Sequence, residues 1–361
     1  MRCHIAQMLR TQKRHISFHT PGHKRAGADI TELPYSDDLA DPTGVIAAAQ
    51  ADVASVLGAD ASFFLTDGST CGVFSMLYAL RLAGCRRICV PTYAHKSVFH
   101  ACEVMGLTPV LLAQDSAQGF PAQPTADALA AGLAQADVLL LTSPDYYGFF
   151  APLAAARALC DAQGKPFAVD GAHGSHLHGT AQYAGRYADL WVDGVHKSLP
   201  ALTQGAVVSA RGAWVSLLER AVGYFRTSSP SYPILASIEY AVKFPRNPRI
   251  ERAAARAKAA LSALENDDWS KIVLPFGGAA DAAEAYLEAH GVYPEFNDGS
   301  VLMFYLSPAT KVRELKTLVR LARRLPRAPT EASPARMGRA SGKCVLLELE
   351  KAAGRTCARA C

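Results

Sequence analysis

Seven short apolar runs, most of them set off by stretches of helical spacing, restrict this chain to few folds. The runs cover 62–65, 88–90, 110–112, 138–141, 167–169, 190–192 and 206–208. A strand that is apolar on consecutive positions is covered on both faces, which is the habit of parallel sheets. Between the runs, an Ala-rich helix is expected over 45–57, and further helices over 70–83, 95–105, 125–135 and 152–162. Such alternation implies an α/β fold on a mostly parallel sheet. Ligands of these sheets sit beyond the carboxyl ends of the strands. Asp170, Thr142-Ser143 and Pro91-Thr92-Tyr93 all fall at expected strand ends, so they can converge.

At 361 residues the chain is too long for one compact core, so a large domain with a smaller companion is expected. A helical tract over 232–264 is interrupted by Pro245 and Pro248, and the boundary is placed there. Beyond it, strands over 271–274 and 301–306 and the run Val345-Leu346-Leu347 alternate with helices over 279–290 and 309–324. That pattern suits a small α+β domain. Residues 1–30 hold few apolar residues at regular spacing and carry the turn signal Thr20-Pro21-Gly22-His23. The expected organisation is an arm over 1–30, a large domain over 31–250 and a small C-terminal domain over 251–361.

The charge balance of 37 basic against 32 acidic residues leaves a net +5, too mild and too scattered for a nucleic-acid surface. The one basic cluster, Arg320, Arg323, Arg324 and Arg327, reads as a solvated helix face. No apolar run reaches membrane-spanning length. The basic N-terminus (Arg2, Arg10, Lys13, Arg14) lacks an apolar signal core, and a cytoplasmic protein is expected. Nine dispersed cysteines fit reduced thiols better than a disulfide framework or a zinc ribbon.

The chemistry centres on one acid and one lysine. Asp170 ends the strand-like run 166–169, and Lys197 follows 27 positions later within Gly194-Val195-His196-Lys197-Ser198. A buried lysine is costly unless paired or neutralised. A strand-end carboxylate and one such lysine are what pyridoxal phosphate (PLP) chemistry needs: an amine to form a Schiff base and an anion to keep the pyridine nitrogen protonated. Asp67-Gly68-Ser69-Thr70-Cys71-Gly72 lies between a strand and a helix, where it reads either as a phosphate cradle or as a helix N-cap by Ser69 or Thr70. Neither the P-loop nor the dinucleotide glycine pattern is present. His95, at a strand-to-helix junction, can stack on a planar ring or simply cap its helix. His173, His176 and His178 follow Asp170 closely enough to raise a metal site, but their spacing is not diagnostic, and no metal is expected.

Taken together, these segments resemble the Orn/Lys/Arg decarboxylase family, particularly its shorter bacterial members. The matching stretches run in family order: His19-Thr20-Pro21-Gly22-His23-Lys24, residues 67–72, His95-Lys96-Ser97, Thr142-Ser143-Pro144-Asp145-Tyr146-Tyr147-Gly148, Asp170-Gly171-Ala172-His173-Gly174, residues 196–204, and Thr227-Ser228-Ser229-Pro230-Ser231-Tyr232. The resemblance implies a fold type I (aspartate-aminotransferase-like) large domain with a mostly parallel seven-stranded sheet, plus the small α+β domain. It implies PLP as cofactor and decarboxylation of a basic amino acid (arginine, lysine or ornithine) to the amine. Lys197 resembles the Schiff-base lysine and Asp170 the partner of the pyridinium nitrogen. Ser69 and Thr70 resemble phosphate ligands, assisted by His196. His95 resembles the ring-stacking residue, and His173 a residue beside the ring or the substrate carboxylate. A homodimer is implied, with the arm and Thr227-Ser228-Ser229 reaching the neighbouring subunit's site.

Three positions depart from the family pattern. Gly194 stands where a phosphate-binding serine is usual, Gly171 where short members often carry Glu, and Asp145 where Thr is frequent. The C-terminal match is weak beyond Pro294-Glu295-Phe296-Asn297-Asp298, and a truncated or divergent member is expected. Glu295 and Asp298 are the candidates for holding a substrate's distal cation. An aminotransferase or lyase on the same fold, a non-catalytic PLP-fold binding protein and a metallohydrolase using the histidine loop remain as rival readings.

Overall fold

The computed structural model describes residues 2–11, 16, 18–24, 28–112, 116–117 and 120–326. The expected strand at Val345-Leu346-Leu347, Arg327 and the last three cysteines lie outside these residues.

Strands β1 (Ala61–Leu65), β2 (Arg87–Val90) and β3 (Thr108–Leu111) precede a two-residue ribbon, β4 (Ser116–Ala117) with β5 (Phe120–Pro121). Then come β6 (Val138–Thr142), β7 (Phe167–Asp170), β8 (Leu190–Asp193) and β9 (Ala206–Ala210). The large sheet has seven strands in the order β1-β9-β8-β7-β6-β2-β3. Only β9 runs against the others. All seven runs read from the sequence are strands, within a residue or two at the ends.

Helices α1 (His4–Thr11), α2 (Val45–Leu57), α3 (Gly68–Leu82), α4 (Lys96–Met105), α5 (Ala126–Ala134), α6 (Leu153–Gln163), α7 (Val195–Ser198), α8 (Trp214–Phe225) and α9 (Tyr232–Val242) surround this sheet. Successive strand residues point to opposite faces. Phe64, Cys89, Leu139, Leu141, Val169, Trp191 and Val207 therefore join one core with Ile46, Val53 and Leu235. Leu65, Ile88, Val90, Leu140, Ala168, Val192 and Val208 join the other with Met76, Leu80 and Leu218. Helix α3 rests directly on β8: a Cβ added at Gly72 would lie 2.5 Å from Val192 Cγ2. That contact ties the start of α3 to the strand that leads into the turn of Lys197.

The helical tract interrupted by prolines is two helices, α9 and α10 (Pro248–Ala260), with Pro245 between them and Pro248 in the first turn of the second. Asn247 caps α10 by accepting the Ile250 N–H. Beyond it, β10 (Lys271–Pro275), β11 (Phe296–Asn297) and β12 (Val301–Tyr305) form an antiparallel sheet in the order β10-β12-β11. Together with α10, α11 (Ala280–Glu288) and α12 (Val312–Ala322), it encloses its own core around Ile272, Leu274, Phe304 and Leu318. Helix α12 buries Leu315, Leu318 and Leu321, and exposes Arg320 on its opposite face.

Besides the single turn of α7, two helices were not expected from the sequence. Ile5 and Met8, three positions apart, anchor α1 inside the segment thought to lack regular apolar spacing. Leu218, Ala221 and Val222 do the same for α8 within the unassigned stretch after β9. Among the described residues, no helix is long and apolar enough to cross a membrane.

Candidate active site

The carboxyl edge of the large sheet gathers the chemistry. Asp170 is the last residue of β7, pairs with Thr142 on β6 and Val192 on β8, and is 3% exposed. Its Oδ1 accepts the Ala172 N–H at 3.1 Å. Lys197 sits on α7, one turn past the end of β8, with Nζ 3.3 Å from Nε2 of His173. Burial pushes the Lys197 ammonium below its ordinary value, against the opposing charges of Asp170 and Glu295. A lysine biased toward its neutral form is a nucleophile-ready amine.

One cleft is lined by Ser69, His95, Thr142, Asp170, His173 and Lys197, with Tyr146 and Phe296 closing it. Helix α3 points its N-terminus here. It opens at Gly68 in the left-handed region (φ +76°), and the preceding Asp67 makes no capping hydrogen bond. Ser69 and Thr70 thus lie inside the first turn of α3 and are not its cap. Ser69 faces the cleft, whereas Thr70 is exposed and stands outside its lining. Thr227, in the segment after α8, donates its N–H to Asp67 Oδ2 at 3.3 Å, so this segment flanks the helix mouth of its own chain.

The departure at 194 has a steric cause. A Cβ at Gly194 would lie 2.6 Å from the Ala172 carbonyl oxygen. The backbone after Asp170 approaches the β8–α7 turn too closely for a serine. At Gly171 the nearest atom is the Val192 carbonyl at 3.0 Å, a tight fit that admits a side chain only if the neighbour shifts.

His95 both lines the cleft and caps α4, its Nδ1 accepting the Ser97 N–H at 3.2 Å. Burial pushes its ring below the ordinary value, opposed by Asp170. His196 is outside the lining. Its Nδ1 lies 2.9 Å from the Gly205 carbonyl, which fixes the turn that carries Lys197. The three histidines after Asp170 go to three partners. His173 meets Lys197 and Tyr305, buried His176 meets Asp268 at 2.9 Å, and His178 meets the Ser175 carbonyl at 2.8 Å. Among the described residues, the group of metal-type ligands within mutual reach is His4, Asp52 and Glu239. There the Lys243 ammonium already lies 2.7 Å from Asp52 and 2.9 Å from Glu239.

The small sheet supplies residues that the sequence reading did not single out. Tyr305, at the end of β12, places its hydroxyl 3.0 Å from His173 Nδ1. Lys271, at the start of β10, is buried and donates to the Asp145 carbonyl at 2.9 Å. Asp145 Oδ1 in turn accepts the N–H groups of Tyr147, Gly148 and Phe149. Alternation along 301–305 was the one available signal, because it points 301, 303 and 305 to the same side. Of the two acids considered for a distal cation, Asp298 closes a turn on the Ser300 and Val301 N–H groups. Glu295 faces the charge of Lys197.

Comparison with known proteins agrees with this arrangement. Residues 17–266 match the family model described as "Orn/Lys/Arg decarboxylase, major domain". An uncharacterized Bacillus subtilis protein, YaaO, is 35% identical over 254 residues, covering 62% of this chain and 52% of the relative. An arginine decarboxylase of Halalkalibacterium halodurans is 32% identical over 257 residues, covering 63% and 52%. The chain thus spans about half the length of these curated relatives. Among solved structures, the Francisella novicida lysine decarboxylase LdcF superposes with TM-score 0.73 at 16% identity, covering 89% of this chain and 59% of that one. A NifS-like protein superposes with TM-score 0.62 at 13% identity, covering 79% and 90%. At such identities the likeness speaks for the fold, which is that of the PLP fold type I enzymes. The family match extends over most of the chain and takes in every strand of the large sheet, and on that ground the chain belongs to the Orn/Lys/Arg decarboxylase family.

Proposed function

We propose that the chain binds pyridoxal phosphate through Lys197 and decarboxylates a basic amino acid, arginine before lysine or ornithine. The observation that carries this reading is the meeting of Lys197 with His173 in a cleft that also holds Asp170. Several features fit the cofactor. The uncapped first turn of α3, with Ser69 and Thr70, suits a phosphate dianion. The hydroxyl of Thr142, at the cleft, is buried and lacks a partner within the protein, as a group awaiting a ligand would. Asp170 suits a protonated ring nitrogen and His95 suits a ring face. When bound, the pyridinium ring withdraws electrons from the substrate's Cα, so that the carboxylate leaves as CO₂.

In this reading each residue has one task. Lys197, whose burial weakens its hold on a proton, would give way to the incoming amine, take up the proton of that amine's ammonium and return it to Cα once CO₂ has left. Asp170 keeps its partner nitrogen charged. His173 hydrogen-bonds beside the lysine, and His196 holds the α7 turn through the Gly205 carbonyl. Tyr146 and Phe296 exclude water from the departing carboxylate. Glu295 holds the distal cation. The choice of arginine leans on relatives named arginine decarboxylase, at 30–32% identity. A homodimer, a cytoplasmic location in keeping with the free buried thiols, and the division into 1–30, 31–250 and 251–361 belong to the same proposal.

Incubation of the PLP-loaded protein with arginine, lysine and ornithine tests it. CO₂ and one amine should form, agmatine fastest. Glu295→Gln should raise KM about tenfold or more with a smaller change in kcat. Accumulation of a keto acid without CO₂ would reject decarboxylation.

A further inference from the structure

The small sheet inserts one cross-strand pair into the site of the large one. Lys271 and Tyr305 are direct partners in the antiparallel pairing of β10 with β12. On their face of the sheet, Val273, Val301 and Met303 pack against Phe120, Tyr147 and Leu264. The opposite face, with Ile272, Leu274, Leu302 and Phe304, belongs to the small core. Lys271 and Tyr305 therefore continue the face that meets the large sheet. The Lys271 ammonium lies 5.5 Å from the Tyr305 ring centroid and 3.3 Å from Asp268 Oδ2.

The Tyr305 hydroxyl has one proton and two acceptors in reach. His173 Nδ1 is at 3.0 Å and the Tyr146 carbonyl at 3.3 Å, so the ring nitrogen is the nearer. Burial raises the phenol far above its ordinary value, which keeps it a donor. Burial also holds the His173 ring well below its ordinary value, helped by Lys197, Lys271 and His95 and opposed by Asp268. A neutral imidazole carries one N–H and one lone pair, and the partner of one nitrogen dictates the other.

We propose that Tyr305 is a positioning residue. Its hydroxyl donates to Nδ1 of His173 and fixes the Nε2–H tautomer, so that a hydrogen-bond donor and not a lone pair faces the Lys197 nitrogen. A donor there favours the unprotonated nitrogen. The small sheet thus sets the protonation of an amine carried by the large one. The consequence for catalysis rests on Lys197 being the cofactor-bearing amine, whereas the tautomer itself does not.

Nitrogen-15 NMR of the cofactor-free protein, labelled in its histidine rings, reads the tautomer directly. Loss of a signal in His173→Gln assigns His173. In the wild type, Nδ1 should show the shift of an unprotonated nitrogen and Nε2 that of a protonated one. Tyr305→Phe keeps the ring beneath Lys271 and should move both shifts toward a mixture of tautomers. A protonated Nδ1 in the wild type, or unchanged shifts in Tyr305→Phe, overturns the proposal, and the wild-type spectrum decides even if the variant fails to fold. In the PLP-loaded protein, Tyr305→Phe should move the pH midpoint of the visible band upward by at least threefold in proton concentration, and should do nothing in the His173→Gln background. An equal shift in both backgrounds, or a lower melting temperature with no spectral change, also overturns it. Lack of any visible band in the wild type would reject the cofactor reading and leave the nitrogen-15 result standing.

Discussion

Asp193 ends β8, fully buried, just before the turn that carries Lys197. Tyr183 donates to its Oδ2 at 2.6 Å, and Oδ1 has no partner. Burial raises this carboxyl from 3.8 to about 7, despite the Tyr183 hydrogen bond. The folded protein therefore binds a proton that the unfolded chain releases between those two values, and stability falls as pH rises through that window. Asp193→Asn retains an acceptor for Tyr183 and removes the titration. The variant should gain stability over the wild type between pH 5 and pH 8, by on the order of a few kcal/mol. Denaturant midpoints at the two pH values measure this, and parallel pH profiles would contradict it. At the next residue, Gly194→Ser places a Cβ against the Ala172 carbonyl, where the gap is 2.6 Å. That overpacking should cost about 1–3 kcal/mol and weaken PLP capture. A serine variant as stable and as avid as the wild type would show that the turn yields freely.

Between elements, the buried joint is His176 on the loop after β7, Asp268 before β10 and Lys271 within β10. Burial opposes ionisation of Asp268, but His176 and Lys271 outweigh it and hold the carboxyl well below the usual range. The sign is opposite to that at Asp193. The contribution is fully present above the unfolded value near 4 and is lost as the solution is acidified. Asp268→Ala leaves two basic groups buried without their acid and should destabilise by about 3–5 kcal/mol at pH 7. The gap from the wild type should shrink toward pH 3, which urea titrations at both pH values check. This joint also shows where sequence reading stops. Strands of the large sheet were legible because burial on both faces writes unbroken apolar runs, such as Leu139 to Leu141. Asp170 and Lys197 were legible because strand ends and the turn after β8 are short-range features. His176 with Asp268, 92 positions apart, and His173 with Tyr305, 132 apart, are made by the docking of two sheets. Local periodicity carries no record of such pairings.

For the molecule as a whole, two sheets with separate cores share one cleft. The large sheet brings Asp170, His173, His95 and Lys197, and the small one brings Phe296 to the lining, with Tyr305 behind His173 and the charge of Glu295 facing Lys197. The N-terminal helix is bound into this body, since Glu239 on α9 accepts the His4 and Ile5 N–H groups at 2.7 and 3.0 Å. Everything functional in the account depends on which amine receives the cofactor. The most direct measurement is to incubate the protein with PLP, reduce the adduct with borohydride and map the modified peptide by mass spectrometry. The account predicts one phosphopyridoxyl group, on Lys197, and none at that peptide in Lys197→Ala. Stoichiometric labelling of a different lysine, or no labelling with PLP in excess, would contradict it.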